Sequence, residues 1–142
     1  MHRRTLGSAR RLALVAAVLL VVGSVLPWYQ VGGGAGQLTM RSFTAFDGIG
    51  FVSFLAGLAT LALLALPYAM GDRPAPLDRG VSFAVLGVVA IAGVALWIPT
   101  SGVLADPAGL LPTHSYGFWL AAVWALLLGR SAFEIYLSPD GR

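Results

Sequence analysis

The sequence has no cysteine and no lysine, and charged residues make up only 11% of it. The lack of cysteine excludes membrane thiol–disulfide enzymes and zinc sites built on thiolates, because both depend on paired thiols. The two histidines, His2 and His114, cannot share a metal ion if the chain crosses a membrane four times, because positions 2 and 114 then lie on opposite sides of it. Hydrolase, Walker and dinucleotide-binding motifs are absent as well. The sequence therefore predicts a non-enzymatic protein without a cofactor or metal site.

Apolar residues are in excess: they make up 58% of the 142 residues, and the mean hydropathy is +0.83. Soluble domains usually carry about 25% charged residues. A chain of this length leaves much of its surface in water when it folds, so it could not hide this many apolar side chains. We expect an integral membrane protein.

Each of four stretches without Asp, Glu or Arg holds at least 23 residues: 12–40, 48–71, 80–105 and 107–129. A bilayer core about 30 Å thick needs roughly 20 residues of helix. The stretches predict an all-α fold, in which residues 1–142 form one transmembrane four-helix bundle. We expect its helices near residues 12–29, 48–70, 81–99 and 116–137.

The alternative for the first stretch is a cleaved signal peptide, because two pairs of arginines precede the apolar run LALVAAVLLVV. No clear small-residue cleavage site follows this run. The apolar segment also continues into Leu26-Pro27-Trp28-Tyr29, whose aromatic pair suits a membrane interface. We expect the segment to be retained as the first helix.

All nine basic residues are arginines, and threading four helices puts eight of them on one side and Arg41 alone on the other. Arginine-rich short loops mark the cytoplasmic side, so both termini are expected in the cytoplasm. The net charge of +3 fits anionic lipid headgroups and does not indicate nucleic acid. An arginine-only basic set in a chain rich in Ala, Gly and Leu is typical of GC-rich bacterial genomes. This points to a bacterial plasma membrane.

Three ionisable residues near helix ends are the candidate functional polar groups: Asp47, Arg130 and Glu134. The pattern Thr44-x-x-Asp47 is typical of a helix start, where an acid lies at the positive end of the helix dipole. An ion or ligand site is the alternative for Asp47. Arg130 and Glu134 are four residues apart and share a helix face, which predicts an ion pair at the cytoplasmic interface. The alternative is that Glu134 is a partly buried carboxylate facing a partner or a proton path.

Aromatic and small residues define two further candidate sets. Aromatic residues near the outer helix ends are typical of interfacial anchors: Trp28, Tyr29, Trp97, Tyr116 and Trp119. Small residues spaced four apart allow close helix packing in lipid: Ala121, Ala125 and Gly129 on the fourth helix, and Ser53 and Gly57 on the second.

The first outer loop contains a glycine-rich segment, residues 32–36, between the short runs 27–31 and 37–43. These runs hold β-branched and aromatic residues, so the loop is expected to form a small β-hairpin. A disordered glycine loop is the alternative.

Three short motifs stand at helix ends: Leu26-Pro27-Trp28-Tyr29, Phe46-Asp47-Gly48 and Gly117-Phe118-Trp119. On these motifs the chain resembles small four-helix membrane proteins of actinobacteria. The outer-loop tryptophan and the hairpin are also similar to the claudin-type tetraspan plan, although the loop lacks that plan's paired cysteines and Gly-Leu-Trp motif. Both resemblances imply a topology, and neither carries over a functional residue.

Transport requires polar groups near the membrane midplane, and the central parts of the four predicted helices contain no ionisable residue. We therefore expect a scaffold or accessory subunit in the lipid bilayer. Its helix faces and outer loops would contact a membrane-protein partner or further copies of itself. The alternative is an oligomeric small transporter or channel component.

Reporter fusions test the predicted topology. Fusions after Arg79 and Arg142 should report a cytoplasmic location, and fusions near Gly34 and Gly109 an external one, because arginine is concentrated in the inner segments. The measurement is the activity of paired reporter enzymes, one active only inside the cell and one only outside. An external carboxyl terminus would contradict the four-helix layout.

Overall fold

Four long helices dominate the computed structural model, which describes residues 7–31, 41–70, 79–101 and 116–137. They are α1 (Ser8–Val25), α2 (Phe51–Met70), α3 (Arg79–Thr100) and α4 (Tyr116–Leu137). Each helix is long and apolar enough to cross a membrane. The mostly helical fold with four segments of transmembrane length is confirmed.

Helix α1 departs most from its predicted bounds, since it covers Ser8–Val25 and not 12–29. It begins early because Arg10 and Arg11 are good helix formers, so the charge-free stretch marks the apolar part of the helix and not its start. It ends at Val25 because Pro27 disfavours helical backbone in Leu26, which is extended (φ −71°, ψ 156°). Trp28 and Tyr29, predicted as the last residues of this helix, therefore lie beyond it.

The first and last residues of the other three helices are closer to the predicted ones. Helix α2 begins at Phe51, three residues later than predicted, because a 3₁₀ turn (Ala45–Asp47) and an extended Gly48 precede it. Helix α3 begins two residues earlier and ends one residue later than predicted, and α4 has the predicted bounds.

A two-stranded antiparallel sheet follows α1. Strand β1 (Tyr29–Val31) pairs with β2 (Arg41–Phe43), and Tyr29 lies opposite Phe43 with the two ring centroids 6.0 Å apart. The two paired strands of the predicted hairpin are confirmed. Its glycine turn, within residues 32–40, lies outside the described residues.

The helices form a ring in which α1 contacts α2, α2 contacts α3, α3 contacts α4, and α4 contacts α1. The ends of α1 and α3 meet the starts of α2 and α4, so neighbouring helices are antiparallel. We call this the cap end of the bundle. We call the opposite end the arginine end, because α1 begins there with Arg10 and Arg11.

Small residues lie where the helices pack most closely. A Cβ atom added to Gly87 of α3 would lie 3.1 Å from the Cα of Gly129 on α4. A Cβ on Gly93 of α3 would lie only 2.7 Å from the backbone nitrogen of Ser53 on α2. Lipid tails are as apolar as the helices, so association depends on such close approach and the dispersion contacts it allows.

Helix α1 packs through small residues as well. A Cβ on its Gly23 would lie 3.3 Å from the backbone nitrogen of Ala121 on α4. A Cβ on Gly57 of α2 would lie 3.3 Å from the carbonyl oxygen of Ala17. Ala121 and Ala125 are themselves 0% and 1% exposed. The small-residue line predicted on α4 therefore packs inside its own bundle, against α1 and α3.

Two glycine-to-alanine exchanges test this packing. Gly93→Ala puts a methyl group 2.7 Å from the backbone of Ser53, which cannot move without shifting α2. Overpacking of this kind costs about 1–3 kcal/mol. The matched control is Gly129→Ala, whose methyl group meets the flexible terminal carbon of Ile91, also 2.7 Å away.

The measurement is thermal unfolding in mild detergent. Gly93→Ala should lower the Tm clearly. Gly129→Ala should change it little, because the gain in helix propensity, about 0.5–1 kcal/mol, offsets a small side-chain rearrangement. Equal Tm values for the two variants would contradict the claim that backbone contact at Gly93 holds α2 against α3.

Candidate functional site

Three aromatic rings fill the cap end of the bundle, and we call Trp28, Trp97 and Phe118 the aromatic cap. The centroids of Trp28 and Trp97 are 5.2 Å apart at an interplanar angle of 66°, and those of Trp28 and Phe118 are 5.6 Å apart at 77°. Edge-to-face pairs of this kind contribute about 0.5–1.5 kcal/mol beyond their buried area. Since the rings come from the α1–β1 link, α3 and α4, they hold three parts of the chain together.

Both indole N–H groups of the cap are hydrogen-bonded. Trp28 Nε1 donates to the carbonyl of Gly23 at 2.8 Å, one of the carbonyls that the end of α1 leaves without a helical partner. Trp97 Nε1 donates to the carbonyl of Thr44 at 2.9 Å, which ties α3 to the segment after β2. The backbone N–H of Ile49 adds a second link by donating to Thr100 Oγ1 at 3.1 Å.

Two glycines let the backbone enter this cluster. A Cβ on Gly117, in the first turn of α4, would lie 2.5 Å from the carbonyl oxygen of Pro27, to which the N–H of Gly117 donates at 3.1 Å. A Cβ on Gly50 would lie 2.8 Å from the ring of Trp97. Side chains at either position would separate the helix ends that the cap joins.

The five residues expected as interfacial anchors divide into two groups. Tyr116 and Trp119 are 68% and 65% exposed, as an anchor in the headgroup region requires. Trp28, Tyr29 and Trp97 are buried against protein, so the structure does not place them as lipid-facing anchors. For Trp28 and Tyr29 the cause is the extended backbone after α1, which directs the chain back over the bundle end. Trp97 is covered because its ring packs from α3 against that of Trp28.

Asp47 has a local structural role. Its carboxylate accepts hydrogen bonds from the backbone N–H and the hydroxyl of Thr44, and the Thr44 hydroxyl accepts from the backbone N–H of Phe46 at 3.3 Å. This is a capping box. It lies on the 3₁₀ turn and not, as expected, at the first turn of α2. Asp47 thereby fixes the carbonyl of Thr44 that receives the Trp97 indole.

Arg130 and Glu134 form an ion pair on the outside of α4. The distance from Arg130 Nε to Glu134 Oε1 is 3.0 Å, and the side chains are 72% and 44% exposed. Glu134 is therefore not buried within its own bundle. Arg130 precedes Leu137, the last residue of α4, by seven residues, or about 10 Å along the helix.

Arg130 of this pair belongs to an outward-facing row on α4, and Glu134 lies beside the row. We call this row the outer α4 face: Trp119, Val123, Leu126, Arg130, Phe133 and Leu137. Its five apolar side chains are 51–65% exposed. Alternating steps of four and three residues are the spacing of a helix–helix seam. Each of the four helices in the ring exposes a row of this kind. Among the described residues, only the row on α4 includes a member of an ion pair.

The buried polar side chains of the bundle bond to their own helices. Four fully buried hydroxyl groups donate, at 2.6–2.9 Å, to a carbonyl three or four residues earlier: those of Ser24, Ser53, Thr60 and Ser131. The buried residues of the described spans include no Asp, Glu, His or Arg. The indole N–H of Trp124 is buried without an acceptor in the described part of the chain. The interior is thus packed and apolar.

Comparisons with known proteins add no relative: the chain matches no protein-family model, no curated protein and no solved structure. Within the described residues, no three His, Asp or Glu side chains group together as metal ligands would. The resemblances noted from short motifs therefore stay hypotheses.

Sequence reasoning missed the aromatic cap, although a signal for it was present. The three motifs that carry the resemblance converge at the cap end, where Trp28 contacts Phe118 and Pro27 accepts from Gly117. Glycine beside an aromatic residue at several helix ends was the available sign of a shared cluster. Each motif on its own is also typical of interface chemistry, so the sequence does not predict their contact with one another.

Proposed function

We propose that this protein is a non-enzymatic accessory or scaffold subunit of a bacterial plasma membrane, with both termini in the cytoplasm. It binds a partner membrane protein through the outer α4 face, and its outer loops make further contacts from the cap end.

The proposal rests on the position of the charged side chains, which lie outside the bundle and not in its interior. Apart from the unpaired indole N–H of Trp124, the described interior consists of apolar side chains and of hydroxyl and indole groups that are already hydrogen-bonded. The ion pair Arg130–Glu134 lies outside, within a helix of transmembrane length. Ionisable residues in such segments are costly and usually functional. A charged group outside the bundle supports a role in contact with other molecules more than a role in transport through the centre.

The chemistry of this face favours a different protein over a second copy. A second copy would offer Arg130 and Glu134 only the same two groups, which already pair with each other within α4, so a two-fold dimer adds no new kind of partner for either charge. A transmembrane helix with a polar or basic side chain at the depth of Glu134 would instead hydrogen-bond to it. Trp119 and Phe133 supply large apolar contact surfaces on either side. We therefore propose a helix of another membrane protein as the partner.

The aromatic cap supports this role by holding the first outer loop. Strand β1 begins one residue after Trp28, and the backbone N–H of Trp28 donates to the carbonyl of Phe43 in β2 at 2.8 Å. The hairpin strands are thereby fixed to the bundle, which would give a partner an ordered surface to bind.

The assembly can be tested by native mass spectrometry after extraction in mild detergent. The wild-type protein should occur in a complex heavier than the 14.8 kDa chain by the mass of one partner. Glu134→Gln should release that partner, because the contact loses its charged acceptor. The released chain should keep its Tm, since Glu134 lies on the outside of α4 and its replacement leaves the packed interior unchanged.

The matched control is Val85→Ala on the exposed side of α3, which should retain the partner. A wild-type protein found as a single 14.8 kDa chain, or a Glu134→Gln variant that keeps its partner, would contradict the proposal. Masses at whole multiples of 14.8 kDa would favour the alternative of an oligomeric transporter or channel component.

A further inference from the structure

An apolar groove opens on the outside of the bundle between α1 and α2. Its volume is about 230 Å³, and it is lined by Leu14 of α1 and by Leu61, Leu64, Ala65 and Tyr68 of α2. The α2 residues follow one helix face at steps of three and four. Leu14 is 39% exposed and Tyr68 is 72% exposed, so the groove faces away from the core.

The position of the groove follows from the packing of the two helices. Gly57 holds α2 close to α1, because a Cβ there would lie 2.9 Å from Cγ2 of Val21 and 3.3 Å from the carbonyl oxygen of Ala17. Beyond this contact the groove runs toward the arginine end, from Leu61 to Tyr68. Seven residues of helix correspond to about 10 Å, the length of part of an acyl chain.

Two arginines of α1 lie beside the half of the groove that is nearer the arginine end. Arg10 and Arg11 precede Leu14 by four and three residues, which puts them on the same side of α1. Counting residues from the Gly57–Ala17 contact along both antiparallel helices brings Arg10 level with Leu64 and Arg11 level with Leu63. Helical side chains lean toward the start of their helix, which here is toward Tyr68. Arg11 is exposed, and the hydroxyl-bearing ring of Tyr68 is exposed at the same end.

We infer that this groove is a binding site for an anionic phospholipid, with one acyl chain along Leu14, Leu61 and Ala65 and the phosphate at Arg10 and Arg11. The groove is lined by apolar side chains, and two arginines lie beside its half nearer the arginine end. This arrangement complements the apolar chain and the negative headgroup of an anionic lipid. Basic residues beside clefts between membrane helices favour acidic headgroups. The volume suits a chain segment and falls below the roughly 300–1,000 Å³ of pockets for drug-sized ligands.

The test is a lipid titration of the purified full-length chain in mild detergent, followed by native mass spectrometry. The probes are palmitoyl-oleoyl phosphatidylglycerol, the uncharged phosphatidylcholine with the same chains, and glycerol phosphate as the headgroup alone. Phosphatidylglycerol should bind most tightly. Arg11→Gln should weaken its binding about fivefold and leave phosphatidylcholine unchanged, because one headgroup contact is lost.

A second variant tests the acyl-chain half of the site. Ala65→Phe fills the groove and should abolish retention of phosphatidylglycerol. If the phenyl ring disturbs folding, Ala65→Leu fills the groove with a smaller side chain and should have the same effect. Control variants are Arg41→Gln, which removes a positive charge at the cap end, and Ala95→Phe, which adds the same bulk to the exposed side of α3. Both controls should bind phosphatidylglycerol like the wild type.

Several results would overturn the inference. Equal affinity for the two phospholipids would show that the arginines do not select the headgroup. An unchanged affinity in folded Ala65→Phe or Ala65→Leu would show that the groove is not occupied. If Arg41→Gln lowered the affinity for phosphatidylglycerol as much as Arg11→Gln, the overall charge of the chain would explain the effect, and a headgroup site at Arg10 and Arg11 would not. Tight binding of glycerol phosphate alone would make the site an anion site and not a lipid site.

Discussion

Close backbone approach at a few small residues is the constraint on which the rest of this structure depends. Gly93 against Ser53, and Gly87 against Gly129, bring α3 within contact distance of both its neighbours. Helices in lipid gain nothing from hiding apolar side chains from water, so only tight packing and hydrogen bonding favour a bundle over separate helices. The aromatic cap can join three chain segments because these contacts have already brought the helix ends together.

The same constraint determines which groups remain for function. Half of the buried apolar residues are alanines, and the buried hydroxyls are already hydrogen-bonded, so the interior offers no partner for the charged groups of α4. Arg130, Glu134 and Trp119 lie on the outside, as do the groove residues beside Leu14. Both proposals, a partner helix on α4 and a lipid between α1 and α2, follow from this division between a closed interior and an exposed surface.

Charge and length alone predicted the four helices, because a membrane-crossing helix needs an uninterrupted apolar stretch whatever it packs against. The ends were harder to predict: Pro27 stops α1 early, and the 3₁₀ turn at Asp47 delays α2. A tryptophan at a helix end gives the same sequence signal whether it faces headgroups or a neighbouring ring, so Trp28 and Trp97 were misplaced. The contacts of Gly50 and Gly117 depend on segments distant in the chain, which no local pattern specifies.

The central claim, that the outer α4 face contacts another protein, is tested most directly by cross-linking in native membranes. The chain has no cysteine of its own, so one introduced cysteine gives a single labelled position in this protein for a photoactivatable cross-linker. Val123→Cys on α4 should give one adduct with a different protein, and Val85→Cys on α3, of similar exposure, should give none. Equal adducts from both positions, a Val123→Cys adduct with a second copy of the chain, or no adduct at all would contradict the account.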